Sequence, residues 1–294
     1  ADPSKIMPVF LYALKAPQHE INGKLISTSA YLENPKLSKI IPSYQILMKK
    51  NVYDYLHPTK GVNHNKDKDT LYLVKQNPYG MSPKVKKLIK ESDYEDKKIN
   101  TYSKYEGDLD KVLAKKLKVD KKQITFFKTE FDALKKIIEI FVPKYQEILT
   151  LYPSWNYLYM ICKEKKVTLN YAVYKNLKQN LQPDYKLLKS YTNQHTKLLY
   201  LSSPNSISGQ SLEKDKFEKF LNTYPDNVPI LIDQSHIEFS KPNKDRIDFL
   251  KYLDKNLMVM RSLNHFYGFE NLELTYIVSD VEIANVLQNT QIMD

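Results

Sequence analysis

Two segments of this chain carry the residue types that do acid–base and nucleophilic chemistry. Residues 231–239, LIDQSHIEF, end an apolar run on Asp233 and follow it with Ser235 and His236. Residues 258–276, MVMRSLNHFYGFENLELTY, end another on Arg261 and Ser262 and follow it with His265. A hydroxyl, an imidazole and a carboxylate are the parts of a Ser-His-Asp hydrolase. No Gly-x-Ser-x-Gly elbow surrounds Ser235 or Ser262, and the sharp turn that exposes such a nucleophile depends on those glycines. A hydrolase therefore has no support. Cys162, the one cysteine, can close no intrachain disulfide and build no thiolate metal cage.

These residues must be positioned by alternating helices and strands. Residues 82–91 open on Ser-Pro and carry Val85, Leu88 and Ile89 at helical spacing, which predicts a helix with Pro83 at its first position. Residues 108–117 predict a second helix, with Leu109, Val112, Leu113 and Leu117 on one face, and residues 130–141 a third. Residues 147–151, 154–162, 167–173 and 181–190 then alternate short strand-like and helical runs. KLLYLS at 197–202 reads as a buried strand ending in a Pro-Asn-Ser loop. Helices are expected at 214–222 and 245–253, and strands at 229–233 and 257–261. The alternation indicates an α/β sheet with helices on both faces. Residues 1–70, with Pro, Asn and Lys clusters and the polar run GVNHNKDKDT at 61–70, read as an irregular arm.

Several motifs in register resemble the histidinol-phosphate aminotransferases and their fold-type-I relatives. Asn77-Pro78-Tyr79-Gly80 followed by Ser82-Pro83 is similar to that family's opening Asn-Pro-Tyr-Gly motif. Residues 102–117 resemble its Leu-rich helix, SPNSISG at 203–209 its Asn-Pro-Asn loop, and LIDQSHIEF its Asp-Glu-Ala-Tyr strand end. Ser262, Leu263, Asn264 and His265 fall on the Thr/Ser-Leu-Ser-Lys positions, so His265 stands where the family carries its Schiff-base lysine. The resemblance implies the large domain of aminotransferase fold type I over residues 71–279, a mostly parallel mixed sheet with helices on both faces. Residues 280–294 would begin a C-terminal small domain that is truncated or incomplete.

The resemblance also assigns roles. Asp233 matches the aspartate that pairs with the pyridinium nitrogen of pyridoxal phosphate (PLP), although a strand-end Asp accepting from loop amides explains it equally well. His236 replaces the tyrosine, and Ser206 the asparagine, that bond the cofactor's phenolic oxygen. Trp155 matches the stacking aromatic, or packs with Tyr157 and Tyr159. Ser262 matches a phosphate-binding serine, with Lys128 nearby. Against these, Glu130 stands in the phosphate turn and Glu273 where the family has a phosphate-clamping arginine. An imidazole cannot make the covalent amine link that catalysis starts from, and like charges repel a phosphate. The expectation is a degenerate pocket of Trp155, Ser206, Asp233, His236, Ser262, His265 and Glu273. No catalytic residue and no cofactor are expected: an inactive aminotransferase-like scaffold that works through protein contacts. The alternative is an active, divergent PLP-dependent transaminase, or a dehydratase of the kind in which histidine replaces the lysine. A further alternative places Zn²⁺ on Asp233, His236 and His265, without any short-range ligand motif to support it.

Composition narrows the partners. The net charge is +11, but Arg occurs only at Arg246 and Arg261 and the lysines are scattered. Base and phosphate recognition favours bidentate Arg, so a Lys-rich binder of nucleic acid or anionic surfaces is the weaker reading. No apolar run reaches membrane-spanning length. The absence of an Asn-x-Ser/Thr sequon leaves the compartment open between the cytoplasm and a secretory lumen. The family resemblance implies a homodimer with cofactor sites near its interface; any other protein partner is unnamed.

Overall fold

The computed structural model describes residues 19–21, 24–26, 80–91, 108–152, 154–176, 180–206, 209–240, 247–269 and 273–291. The chain divides into two compact units, Ala1–Lys68 with Ile138–Tyr224, and Asp69–Ile137 with Pro225–Asp294. The motif residues Asn77, Pro78 and Tyr79, the stretch 102–107, Arg246 and nearly all of the arm lie outside the described residues.

In the first unit, β1 (His19–Ile21) and β2 (Lys24–Ile26) pair antiparallel. The main strands are β4 (Glu147–Tyr152), β5 (Thr168–Asn176), β6 (Asn180–Pro183) and β7 (Thr196–Ser202), in the order β7-β4-β5-β6. β4 runs parallel to β5 and β7, and β6 closes the edge antiparallel. Ile148, Leu149, Leu151, Leu198, Leu199, Tyr200 and Leu201 are buried, so β4 and β7 are covered on both faces, as near-continuous apolar runs require. α4 (Asn156–Lys165) follows β4, α5 (Tyr185–Tyr191) follows β6 and α6 (Lys214–Leu221) follows β7. The run expected at 181–190 is split: β6 ends at Pro183, and Asp184 caps α5 by accepting from the N–H groups of Lys186 and Leu187, each at 3.1 Å.

The second unit begins with α1 (Pro83–Glu91) and α2 (Leu109–Leu117). Proline opens α1, where its missing N–H costs nothing. On α2 it is Leu113 and Ala114 that are buried, whereas Val112, expected on the apolar face, is 60% exposed. Then come β3 (Ile124–Phe127), α3 (Glu130–Phe141, whose last turn enters the first unit), β8 (Ile230–Asp233), β9 (Leu257–Ser262), β10 (Thr275–Val278) and α7 (Val281–Gln291). The strand order is β3-β10-β9-β8, with β8 and β9 parallel and the other pairs antiparallel. Leu231, Ile232, Met258, Val259 and Met260 are fully buried; each such side chain stabilises the fold by about 1.5–3 kcal/mol. The helix expected at 245–253 is instead a 3₁₀ segment, Phe249–Lys255, broken by Tyr252 at φ −119. Among the described residues no helix is long and apolar enough to cross a membrane.

Candidate functional site

β8 and β9 are parallel with Asp233 beside Met260, so the chain leaves both strands at one edge. In α/β sheets the carboxyl ends of parallel strands are where ligands gather. Asp233 ends β8, and its Oδ1 accepts from the backbone N–H of Ser235 at 2.9 Å and from its hydroxyl at 2.7 Å. That turn fixes the carboxylate's direction. Gln234 is tied down separately: its Oε1 accepts from Nε and Nη2 of Arg261 at 3.0 and 2.9 Å. His236 then leads into a 3₁₀ turn, Ile237–Phe239.

The connection after β9 is clasped by Asn264. Its N–H donates to Ser262 Oγ at 3.1 Å, its Oδ1 accepts from the N–H of Leu274 at 2.6 Å, and its carbonyl accepts from the N–H of Phe269 at 2.9 Å. Both arms of the loop are thereby joined with His265 between them. Gly268 sits at φ 73, and a Cβ there would lie 2.7 Å from the carbonyl carbon of Gly80. The loop therefore rests backbone to backbone on Gly80, which only glycine permits.

His265 meets two partners. Its ring stacks on His236, centroids 5.2 Å apart and planes 27° off parallel. Its Nε2 lies 3.1 Å from Glu130 Oε1, with both side chains only 13% exposed. Glu130 is the first residue of α3, and Thr129 caps that helix by accepting from the N–H of Asp132 at 3.0 Å. A carboxylate is favoured at a helix N-terminus. Burial by itself raises the Glu130 pKa. Hydrogen bonds from His265 and Ser262, the His265 charge and Glu130's own N–H outweigh burial and bring it from 4.5 to about 2. Oε1 has no well-directed donor, although His265 Nε2 lies only 3.1 Å away. Thr275 lies directly opposite Ser262 across β9 and β10 and so shares its face. Its Oγ1 is buried without a hydrogen-bond partner.

Of the residues expected from sequence, His236, Ser262 and His265 therefore cluster with Glu130, and Asp233 ends the strand beside them. Glu273 turns elsewhere: at φ 44 its Oε2 lies 3.5 Å from Lys128 Nζ, with side chains 38% and 75% exposed. Such a solvated pair contributes little and sets no buried charge against an anion. In the first unit, the half-buried Trp155 precedes α4 with its ring 5.1 Å from that of Tyr157. Ser206 is exposed. Its neighbour Asn205 is the inward residue, donating from Nδ2 to the Tyr174 hydroxyl at 2.8 Å and to Ser202 Oγ at 3.1 Å. Among the described residues no three His, Cys, Asp or Glu are grouped to hold a metal, so Asp233, His236 and His265 do not form a ligand set. What sequence reasoning passed over is the joining of Glu130 to His265, the Asn264 clasp and the inward Asn205. A helix-first Glu and an Asn inside a Ser/Asn loop were the available signals. Chemically, an imidazole beside a carboxylate can take up and return a proton, and Asp233 can pair with a cationic nitrogen.

A family profile described as aminotransferase class I and II matches residues 71–292. Histidinol-phosphate aminotransferase 2 of Haemophilus influenzae is 30% identical over 219 residues, covering 74% of this chain and 58% of that protein. The histidinol-phosphate aminotransferase of Caldicellulosiruptor saccharolyticus is 27% identical over 222 residues, with 74% and 59% covered. The crystal structure of histidinol-phosphate aminotransferase from Sinorhizobium meliloti in complex with pyridoxal-5'-phosphate superposes with a TM-score of 0.65 at 18% identity, covering 74% of this chain and 57% of that one. The chain thus has the fold of the type I aminotransferases and spans a little under three fifths of the length of these relatives.

These matches overturn the expectation of a cofactor-free, inactive scaffold that is not an enzyme. The relatives are named as transaminases, and one is solved with PLP. The expectation rested on two losses taken as independent, the amine at His265 and the anion cradle at Glu130 and Glu273. The structure turns Glu273 to the surface, pairs Glu130 with His265, and keeps Asp233 and Ser262 at the strand ends.

Proposed function

Because the chain belongs to the class I and II aminotransferase family, we propose that it forms the cofactor-holding part of a PLP-dependent enzyme of the histidinol-phosphate aminotransferase type, acting on a primary amine. The observation that carries this reading is Asp233, a carboxylate at the C-terminal end of β8, aimed by both donors of Ser235.

The donor set fits the group. Asp233 suits the pyridine nitrogen. At the phosphate end stand the buried Ser262 hydroxyl, the partnerless Thr275 hydroxyl on the same face, and the N-terminus of α3, donors favourable to an anion where the Glu130 carboxylate now lies. Bound there, PLP would supply an electron sink for charge developing beside the amine. The chain's own residues do the rest. Asp233 would hold the proton of the ring nitrogen, and Ser262 would orient the phosphate. His265 accepts and returns a proton at the ring nitrogen that does not face Glu130, while the His236 stack restricts its rotation. The resemblance puts His265 in a lysine's place, and this favours a dehydratase using the same cofactor as the second reading: an imidazole moves protons but lacks the primary amine for a covalent link. A second copy of the chain is the partner implied by the resemblance, and light scattering on the purified protein tests it.

The test of function is titration of the purified protein with PLP, followed by absorbance and thermal unfolding. Binding with a spectral change and a raised unfolding temperature is expected, weakened in Asp233→Ala; histidinol phosphate then serves as the trial amine. Folded protein that shows neither response to PLP refutes the reading.

A further inference from the structure

The head of α3 already holds an anion of the chain's own. Glu130 places its carboxylate there, 3.1 Å from His265 Nε2 and 13% exposed. Ser262, whose Oγ accepts from Asn264 N–H, has its hydroxyl proton left to donate toward that carboxylate. Thr275, on the same face as Ser262, keeps a buried hydroxyl that Glu130 does not engage. A carboxylate has two oxygens and one charge; a phosphate ester brings three oxygens and nearly two charges. The seat therefore holds more donor capacity than its occupant uses, and the occupant carries the same sign as the phosphate.

We infer that Glu130 is a resident anion at the phosphate end of the site, and that the phosphate of PLP enters only by displacing its carboxylate from His265 and Ser262. This rests on the cofactor reading above. Glu130 then sets how strongly the phosphate contributes to affinity, and displacement of its carboxylate releases the Nε2 side of His265 at the moment the cofactor is seated. Lys128 does not relieve the competition, because it is engaged with Glu273 at the surface.

Three proteins decide it: wild type, Glu130→Gln and Glu130→Ser, each titrated with PLP and with pyridoxal, which lacks the phosphate, and read as dissociation constants. Losing a charge-assisted competitor should tighten PLP by about tenfold or more in both variants. Pyridoxal affinity should stay the same within about twofold. In wild type the phosphate should add little, with PLP bound no more than about tenfold tighter than pyridoxal; this arm stands even if a variant fails to fold. PLP affinity that is unchanged or weaker in the variants, or an equal gain for pyridoxal, overturns the inference while leaving the cofactor reading intact. If none of the three proteins binds either compound, both fall together.

Discussion

Acid should destabilise this protein in a window that Glu130 accounts for. The carboxyl pKa falls from 4.5 to about 2 on folding, which corresponds to roughly 3 kcal/mol of carboxylate stabilisation at about 1.4 kcal/mol per pH unit. Because the folded-state value is the lower one, that stabilisation is fully present above pH 4.5 and is lost as pH falls toward 2. The groups facing the carboxylate are His265 Nε2, the Ser262 hydroxyl and Glu130's own N–H; nearby Asp132 is occupied by the Thr129 hydroxyl at 2.7 Å. Other carboxylates also titrate in acid, so the comparison that isolates the pair is wild type against Glu130→Gln. Urea unfolding from neutral pH down to about pH 2.5 should show the variant less stable by up to roughly 3 kcal/mol near pH 6, with the gap closing through the window. A gap that stays constant through that range, or a variant more stable than wild type at neutral pH, would refute the account of Glu130 as a charge held by the fold.

Three further substitutions probe the frame around the site, each followed by chemical denaturation. Asn264→Ala removes the acceptor for Leu274 N–H and should cost about 1–3 kcal/mol; a loss under half a kcal/mol would mean the clasp is not what holds the loop. Gly268→Ala places a Cβ 2.7 Å from Gly80 backbone at φ 73, where neither side can yield, so it should cost more than about 1 kcal/mol; a neutral result would disprove the backbone contact. Thr275→Val deletes a buried hydroxyl that has no partner at nearly constant volume, and should be neutral or stabilising by up to about 1 kcal/mol. A clear loss of stability would show that the hydroxyl is satisfied.

Much of the scaffold was legible because its signals are local. The apolar period of α1 and α3, the proline opening α1 and the continuous apolar runs of β4, β7, β8 and β9 each depend on neighbours in sequence. The failures were equally physical. β3 and β10 are four-residue strands, ITFF and TYIV, too short to show a period, and they exist because each pairs antiparallel across a long separation in sequence. The segment Phe249–Lys255 has helix-like composition, yet Tyr252 departs from helical φ/ψ and the turns stay 3₁₀. Val112 has helical spacing but lies on the wrong side of α2 by one residue, where Ala114 is covered instead. At the site, Asp233, Ser262 and His265 were singled out by motif resemblance, and the fold puts them at or just beyond the ends of β8 and β9. Asn205 was missed since a loop's inward residue depends on its backbone turn rather than on spacing.

The expectation of an inactive scaffold weighed two charges one at a time. Scored alone, Glu130 is an acid in an anion's place and His265 is an amine lost. Brought within 3.1 Å with both side chains 13% exposed, each supplies what the other lacks: the imidazole gives the buried carboxylate a neighbouring N–H donor, and the carboxylate gives the imidazole a fixed partner. A buried charge left without its partner is expensive, whereas a matched pair is tolerated. Substitutions at two such positions are therefore not independent events, and their effects cannot be added. A sequence lays residues 130 and 265 far apart and presents two defects; the fold presents one coupled acid–base pair at the N-terminus of α3.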